Sequence, residues 1–359
     1  MEYDDYPWHF FALGILDSWN KTKGEGIVID LIDSWVDFSI PPLINKDHNK
    51  DSELICYNNT SQGDIHGTAM VGLMVAHECR LPLNDTENIQ QRQTYAMLKP
   101  FPSNYCSDSL ISSEPNHNTR KIAGIAPESL INSINGLINV TNVHKAMNND
   151  RYNVTTDSNV EVLKSPSSRL RTNISVINLS GGQQKRIEDF QWNELVSNIC
   201  LTRNDILIIA AVGNEATKIT TENYLDAGIY PASLHPQVCK NKSVDPIIRV
   251  GAVNNSSEPT WHHSSNCGKN FVDISAPGTG ILIIIPGGYL IVGGGTSEAT
   301  AITSGTAALL LSRLVYGSSY ELRDFILNNT ITYDHLKPKV ANGRVLHTQK
   351  LVDLACFKK

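Results

Sequence analysis

Ser297 stands directly after Gly294-Gly295-Thr296 and opens a run of small residues that continues from Ala299-Thr300-Ala301 through Gly305-Thr306-Ala307-Ala308 to Leu309-Leu310. Such a run reads as a helix able to sink into a core, because little side-chain bulk keeps neighbours away. A helix N-terminus offers unpaired N–H groups and a positive partial charge to an oxygen that is becoming negative. A hydroxyl at that mouth suits nucleophilic attack, and it equally suits helix capping, since serine is a preferred cap. Three other segments bear on the choice. Asp64-Ile65-His66-Gly67-Thr68-Ala69-Met70 reads as a loop running into a buried helix, with His66 at its start. Gly26-Ile27-Val28-Ile29-Asp30-Leu31-Ile32-Asp33 is an apolar run that fits a buried parallel strand with Asp30 at its carboxyl end. Ile206 to Ala211 is a second such strand, and Gly213-Asn214 beyond it delivers an amide side chain. Reactive groups of open α/β sheets gather just past the carboxyl ends of the strands. An acid, an imidazole, an amide and a hydroxyl are all supplied at such positions.

The elements expected to carry these groups alternate along the chain. Strands are expected at Ile27–Asp30, Ser129–Ile134, Ser175–Leu179, Ile206–Ala211, Ile247–Val253 and Val272–Ser275. Helices are expected at His66–His77, Ile187–Ile199, Thr296–Leu314 and Tyr320–Leu327. Short apolar strands separated by helical segments imply an α/β fold with a doubly wound, mostly parallel sheet flanked by helices. No internal repeat is visible. Leu81 to Thr119, rich in Asn, Gln, Ser and Pro, reads as a long surface excursion.

Together these segments resemble the subtilisin-like serine proteases, the subtilases. Their Asp, His, Ser chain order is matched by Asp30, His66 and Ser297, the order that distinguishes subtilisin among serine hydrolases. His66-Gly67-Thr68 and Gly295-Thr296-Ser297 with Ala299 are similar to the family's His and Ser motifs. Gly213-Asn214 is similar to its oxyanion-hole segment, and Val176-Ile177-Asn178-Leu179-Ser180-Gly181-Gly182 to its substrate-binding strand. Non-catalytic stretches fall in family order too: Gly124-Ile125-Ala126-Pro127, Tyr230-Pro231-Ala232, Val250-Gly251-Ala252-Val253 and Val272 to Gly278. The run Gly280 to Val292 resembles the strand pair that leads to the family's serine, and Leu346 to Leu354 the helix that closes its fold. The resemblance implies a three-layer α/β/α fold and one peptidase domain over 1–359, with surface insertions at about 79–120 and 147–171.

It also implies roles. Ser297 is a weak nucleophile until His66 takes its proton. Asp30 holds the imidazole in the correct tautomer and stabilises the imidazolium, with Asp33 the rival acid. The Asn214 amide and the Ser297 N–H donate to the oxyanion. A peptide or protein substrate adds as a strand to Ser180-Gly181-Gly182 and to a segment near Ile134 to Leu137. The pocket for the residue before the scissile bond is walled by Ala211-Val212-Gly213 and floored near Gly228-Ile229. Ile229 falls where some relatives carry glycine, which implies a shallow pocket. Two departures stand out. Asp30-Leu31-Ile32 replaces the usual Asp-Thr-Gly, and Glu298 follows the nucleophile where many members carry methionine. A carboxylate there would oppose the oxyanion or else point to solvent. A serine endopeptidase is the leading expectation, and a catalytically weak or inactive pseudoprotease that binds peptides is the alternative. An ester-hydrolysing α/β hydrolase is disfavoured, because no Gly-x-Ser-x-Gly elbow surrounds Ser297.

Composition agrees. The 359 residues are 41% hydrophobic and 18% charged, with a net charge of −6 and no basic block. Nothing there favours nucleic acid or anionic membranes, and no apolar run reaches the ~18 residues of a membrane span. If Met1 is the native start, the acidic N-terminus lacks an export signal and propeptide, and cytoplasmic residence is expected; a trimmed secreted precursor is the alternative. Seven cysteines without a C-x-x-C pair read as mostly free thiols, with Cys79–Cys106 able to pair if the chain is secreted. No cofactor is expected. Asp37 sits where a family calcium ligand lies, but the rest of that loop is unrecognisable.

Overall fold

Short apolar runs bounded by polar residues become buried strands in this chain, and their alternation sets up two cores. The structure is a computed structural model that describes residues 6–48, 65–82, 119–135, 173–182, 189–224, 228–234, 239, 244–254, 256–314 and 316–355. Two short helices, α1 (Trp8–Leu13) and α2 (Ile15–Trp19), meet at Gly14. Its φ of 65° is left-handed, and a Cβ there would fall 2.3 Å from Gln349 Oε1; glycine serves both the turn and the close approach. Then come β1 (Val28–Asp33) and α3 (His66–Val75). Strands β2 (Cys79–Pro82) and β3 (Thr119–Ile122) pair antiparallel at the base of the first insertion. The body of that insertion, 83–118, and the second insertion, 147–171, lie outside the described residues. β4 (Leu130–Asn135), β5 (Ser175–Leu179), α4 (Asp189–Thr202), β6 (Ile206–Ala211), β7 (Ile247–Val253) and β8 (Ile274–Pro277) follow in the expected alternation. A hairpin, β9 (Thr279–Ile285) and β10 (Tyr289–Gly294), turns over Pro286-Gly287-Gly288 and leads into α5 (Thr296–Arg313). The chain continues through α6 (Ser319–Asn328), β11 (Ile331–Thr332), β12 (Arg344–Val345) and α7 (Thr348–Ala355).

One eight-stranded sheet has the order β11-β12-β8-β7-β6-β5-β1-β4. Every pairing in it is parallel except β11 with β12. Period-two alternation sends neighbouring residues to opposite faces. Ile29, Leu31, Val176, Leu207 and Ile209 enter the core that contains α3 and α5. Ile32, Ile177, Leu179, Ile206 and Ile208 enter the other core, with Trp192, Leu195, Val196 and Ile199 of α4. This is the expected three-layer α/β/α arrangement with a mostly parallel sheet.

Helix α5 is buried almost from end to end. Its composition makes that burial feasible. The Thr300, Thr303, Ser304 and Thr306 hydroxyls donate to carbonyls four residues back, at 2.7, 2.8, 3.0 and 3.1 Å, so none of these hydroxyls is left to cost desolvation. Gly305 allows Ile125 to approach, since a Cβ would lie 2.7 Å from Ile125 Cβ. Helix α6 starts on Ser318, whose Oγ accepts the Glu321 N–H at 3.2 Å. On the far side of the sheet, buried Arg249 pairs with Asp245 at 2.7 Å and Asp273 at 3.0 Å, and Arg323 of α6 joins at 3.3 Å from Asp273.

The reading of mostly free thiols fails. Cys200 and Cys239 are joined by a disulfide with Cα atoms 5.8 Å apart. Cys79 is disulfide-bonded as well, and Cys106 lies outside the described residues. Cys267 is a free, buried thiol.

Candidate active site

Strand β1 runs three residues further than its apolar run suggests, and that extension changes the acid. Asp33 is its last residue and has the same parity as Ile29 and Leu31, so it faces the layer of α3. His66 heads α3, and its Nδ1 lies 2.8 and 2.9 Å from the two Asp33 carboxylate oxygens. This pairing favours the tautomer with the proton on Nδ1 and leaves Nε2 as a lone-pair base. Asp30 has the opposite parity and is fully buried on the α4 side. Its Oδ1 accepts from Asn132 Nδ2 at 2.6 Å on the adjacent strand β4. Asp30 therefore does not meet His66, and the carboxylate that does is the rival, Asp33.

The local sequence explains the contact. The Ser34 N–H donates to Asp33 Oδ1 at 2.7 Å, and Ser34 Oγ accepts the Gly67 N–H at 2.9 Å, tying the strand end to the helix start. A Cβ at residue 67 would fall 2.3 Å from the Ser34 carbonyl oxygen. Only glycine lets α3 begin this close to the strand. The sequence signal for Asp33 is its following serine, a small hydroxyl residue nearer to Asp-Thr than Leu31 is.

Ser297 sits in the first turn of α5, partly exposed, and it is not the cap. Gly295 holds the cap position, and Asn214 Oδ1 accepts the Thr296 N–H at 2.9 Å. Committing its oxygen in this way leaves the Asn214 Nδ2 donor beside the same helix mouth. Gly213, with φ of 96°, turns the chain out of β6, and its N–H donates to Thr296 Oγ1 at 3.2 Å. Helix α3 packs directly on α5, so His66 and Ser297 head two adjoining helices. Ser180, just past β5, donates its hydroxyl toward the Ser297 carbonyl at 3.1 Å and toward Asn178 Oδ1 at 2.8 Å. Asn178 Nδ2 in turn donates to Ser304 Oγ at 2.9 Å.

Gly181 is half-buried and Gly182 exposed beyond β5. Ala211, which ends the neighbouring parallel strand β6, is buried, as are Val212 and Gly213 just beyond it, and Ile229 is buried next to Tyr230. Ile134 lies on β4, the outermost strand on its side, whereas Gly136 and Leu137 fall outside the described residues. Sequence reasoning misses one residue. Asn266 donates to the Val212 carbonyl at 2.8 Å and to Glu215 Oε2 at 2.6 Å, and its Oδ1 accepts from Thr217 N at 2.8 Å. It splints the loop that carries Asn214, and nothing near it in the sequence marks it out.

Glu298 is buried, which rules out the reading in which it points to solvent. Burial pushes its carboxyl above the usual range; the amides of Glu298 itself and Gly294 and the nearby His66 pull the other way. Asp37 is occupied by protein donors. Its oxygens accept from the Ser39 N–H at 3.1 Å, the Ser39 hydroxyl and the Gly287 N–H at 3.2 Å. Among the described residues no cluster of three or more His, Cys, Asp or Glu side chains could hold a metal ion, and no helix is long and apolar enough to cross a membrane.

With fold and geometry in place, the chain belongs to the subtilase family, a family of serine proteases whose model matches residues 24–351. It is 30% identical to one component of the subtilase cytotoxin of Escherichia coli, over 98% of this chain and 89% of that protein. A solved subtilase cytotoxin assembly contains a chain that superposes with a TM-score of 0.71 at 29% identity, covering 98% of this chain and 97% of that one. Subtilisin E of Bacillus subtilis is 33% identical over 36% of this chain and 29% of its own length.

Proposed function

We propose that this protein is a serine endopeptidase in which Ser297 attacks the scissile carbonyl, His66 is the general base, Asp33 is the orienting acid, and Asn214 completes the oxyanion hole. The observation that carries the reading is the bidentate contact of Asp33 with His66 Nδ1, at 2.8 and 2.9 Å, beside the helix mouth that holds Ser297. Nε2 takes the Ser297 proton as the acyl bond forms and later passes it to the leaving amine. Asp33 stabilises the imidazolium in between without becoming protonated. The tetrahedral oxygen takes hydrogen bonds from the Ser297 N–H, held in the first turn of α5, and from Asn214 Nδ2, whose loop is held by the turn at Gly213 and the splint of Asn266. The substrate is a peptide or protein strand laid along Ser180-Gly181-Gly182.

A serine-directed phosphonate and a fluorogenic peptide mixture test this together. Wild type should take one label and cleave peptide, and Ser297→Ala should lose both while its stability moves by about 1 kcal/mol or less. Asp33→Asn should cut turnover by orders of magnitude, about 10⁴-fold where such an acid has been neutralised, and Asp30→Asn should keep most of it. Absence of both would reject the enzyme reading and favour the inactive peptide-binding alternative, whereas label without turnover would mean an activated serine whose substrate the mixture lacks.

The disulfides at Cys79 and Cys200–Cys239 support secretion, since such bonds persist in oxidising compartments. The likeness to a cytotoxin component along nearly the whole chain supports a role as the catalytic member of an assembly. The native mass of protein purified from its own source distinguishes that assembly from a lone chain.

A further inference from the structure

The peptide strand beyond β5 and the loop beyond β6 run side by side, because Leu179 and Ala210 are register partners in a parallel pair. Gly213 on the second stands on the expected wall of the pocket for the residue before the scissile bond, and Gly182 on the first, on the edge expected to bind the peptide, flanks the same space. One side chain reaches both. A Cβ at Gly182 would fall 2.2 Å from Ile229 Cγ2, and a Cβ at Gly213 would fall 2.3 Å from Ile229 Cγ1. Distances that short leave no room for even one methyl group between the isoleucine and either glycine.

Resting on the peptidase reading above, we infer that Ile229 fills this pocket and restricts the enzyme to small residues, glycine, alanine or serine, before the scissile bond. Three observations carry the assignment. The two branches of the side chain touch opposite walls, so the space between the walls is already occupied by protein carbon. Ile229 is only 6% exposed, and its β-branched side chain has few χ1 wells to move into. The backbone that carries the side chain is tied down as well, since the Ile229 carbonyl accepts the Ser233 N–H at 2.8 Å. The glycines at 182 and 213 thus play a different part from that of an open slot. They let the backbone walls close on isoleucine, and what remains above it is a shallow recess.

The test is a set of fluorogenic peptides identical except for Gly, Ala, Ser, Leu, Phe or Lys before the cleaved bond. Rates are normalised to the phosphonate-labelled fraction, so only folded active sites count. Wild type should prefer Ala to Phe by about 100-fold or more in kcat/KM, since each methylene in a pocket changes discrimination by roughly 10–200-fold. Ile229→Gly should shift that ratio by a similar factor toward Phe. Ile229→Ala, which keeps a Cβ and disturbs the backbone less, should fall between them and serves if the glycine variant does not fold. Equal cleavage after Phe and Ala by wild type would overturn the inference while leaving the peptidase reading intact, and so would a ratio unmoved by both substitutions. Failure to cleave any peptide, with no label taken, would instead overturn the peptidase reading and the inference with it.

Discussion

One residue past Ser297, the Glu298 carboxyl is turned back toward the amides of Gly294 and Glu298 itself, with Oε1 2.8 Å from where a Gly293 Cβ would stand. Burial raises its pKa above that of an unfolded glutamate. A raised folded-state pKa in an acid contributes stability that is complete below the unfolded pKa and is lost as pH rises through the folded one. Wild type should therefore weaken, relative to Glu298→Gln, as pH climbs from the ordinary glutamate range to neutrality. Melting temperatures of the two proteins measured in parallel from about pH 4 to pH 8 check this, and a constant difference would refute it. Stability is a cleaner readout than rate here. An ionised carboxylate would oppose a developing oxyanion and favour the His66 imidazolium, two effects of opposite sign on the rate. At this scale most of the site is legible in the sequence. His66, Asn214 and Ser297 each adjoin a glycine and a strand end or helix start, which is local information. The carboxylate that meets His66 is misread when the strand is ended at Asp30, because a three-residue offset on a period-two strand moves a side chain to the opposite face. Asn266 is invisible because its partners at Val212, Glu215 and Thr217 are brought to it only by the fold.

Helix α6 has an N-terminus capped by a side chain. Ser318 Oγ accepts from Glu321 N, and Glu321 Oε2 accepts the Gly317 N–H at 2.9 Å. Ser318→Ala should cost about 1 kcal/mol of unfolding free energy, and Ser318→Asp much less, because aspartate also caps. Denaturant melts of the two variants decide it; an unchanged midpoint for the alanine form would mean that the cap is idle. Strands expected at Ser175–Leu179, Ile206–Ala211 and Ile247–Val253 have those bounds in the structure. They are buried on both faces, so their apolar runs end where the strands end. β8 begins two residues later than the sequence suggests, at Ile274 rather than Val272, since apolarity there marks core rather than ladder. The two-residue strands β11 and β12 carry too little pattern to be read without their partners. Helices α1 and α2, of six and five residues, are likewise too short to show a helical period.

For the molecule as a whole, the Cys200–Cys239 bond joins residues 39 apart in sequence, closing a loop that runs from the end of α4 around β6. A loop of that size restrains the unfolded chain by roughly 4 kcal/mol in the chain-entropy account. The double variant Cys200→Ser, Cys239→Ser should lose a large part of that in equilibrium unfolding. Reduction of wild type under native conditions should lower its midpoint by at least as much, since it opens the Cys79 bond as well; no change in either would argue that Cys200 and Cys239 are not bonded in solution. Neither partner can be chosen from seven cysteines by spacing alone, because the pairing depends on how α4 lies against the sheet. The buried helix α5 has a consequence of another kind. Its hydroxyls are satisfied within the helix and its sides are enclosed by α3 and strands β5 to β8. Ser297, the proposed nucleophile and oxyanion donor, thus rides on the part of the chain that opens last. Fraying at the edges leaves the reacting atoms in register, so loss of activity on heating and loss of the fold become one event rather than two.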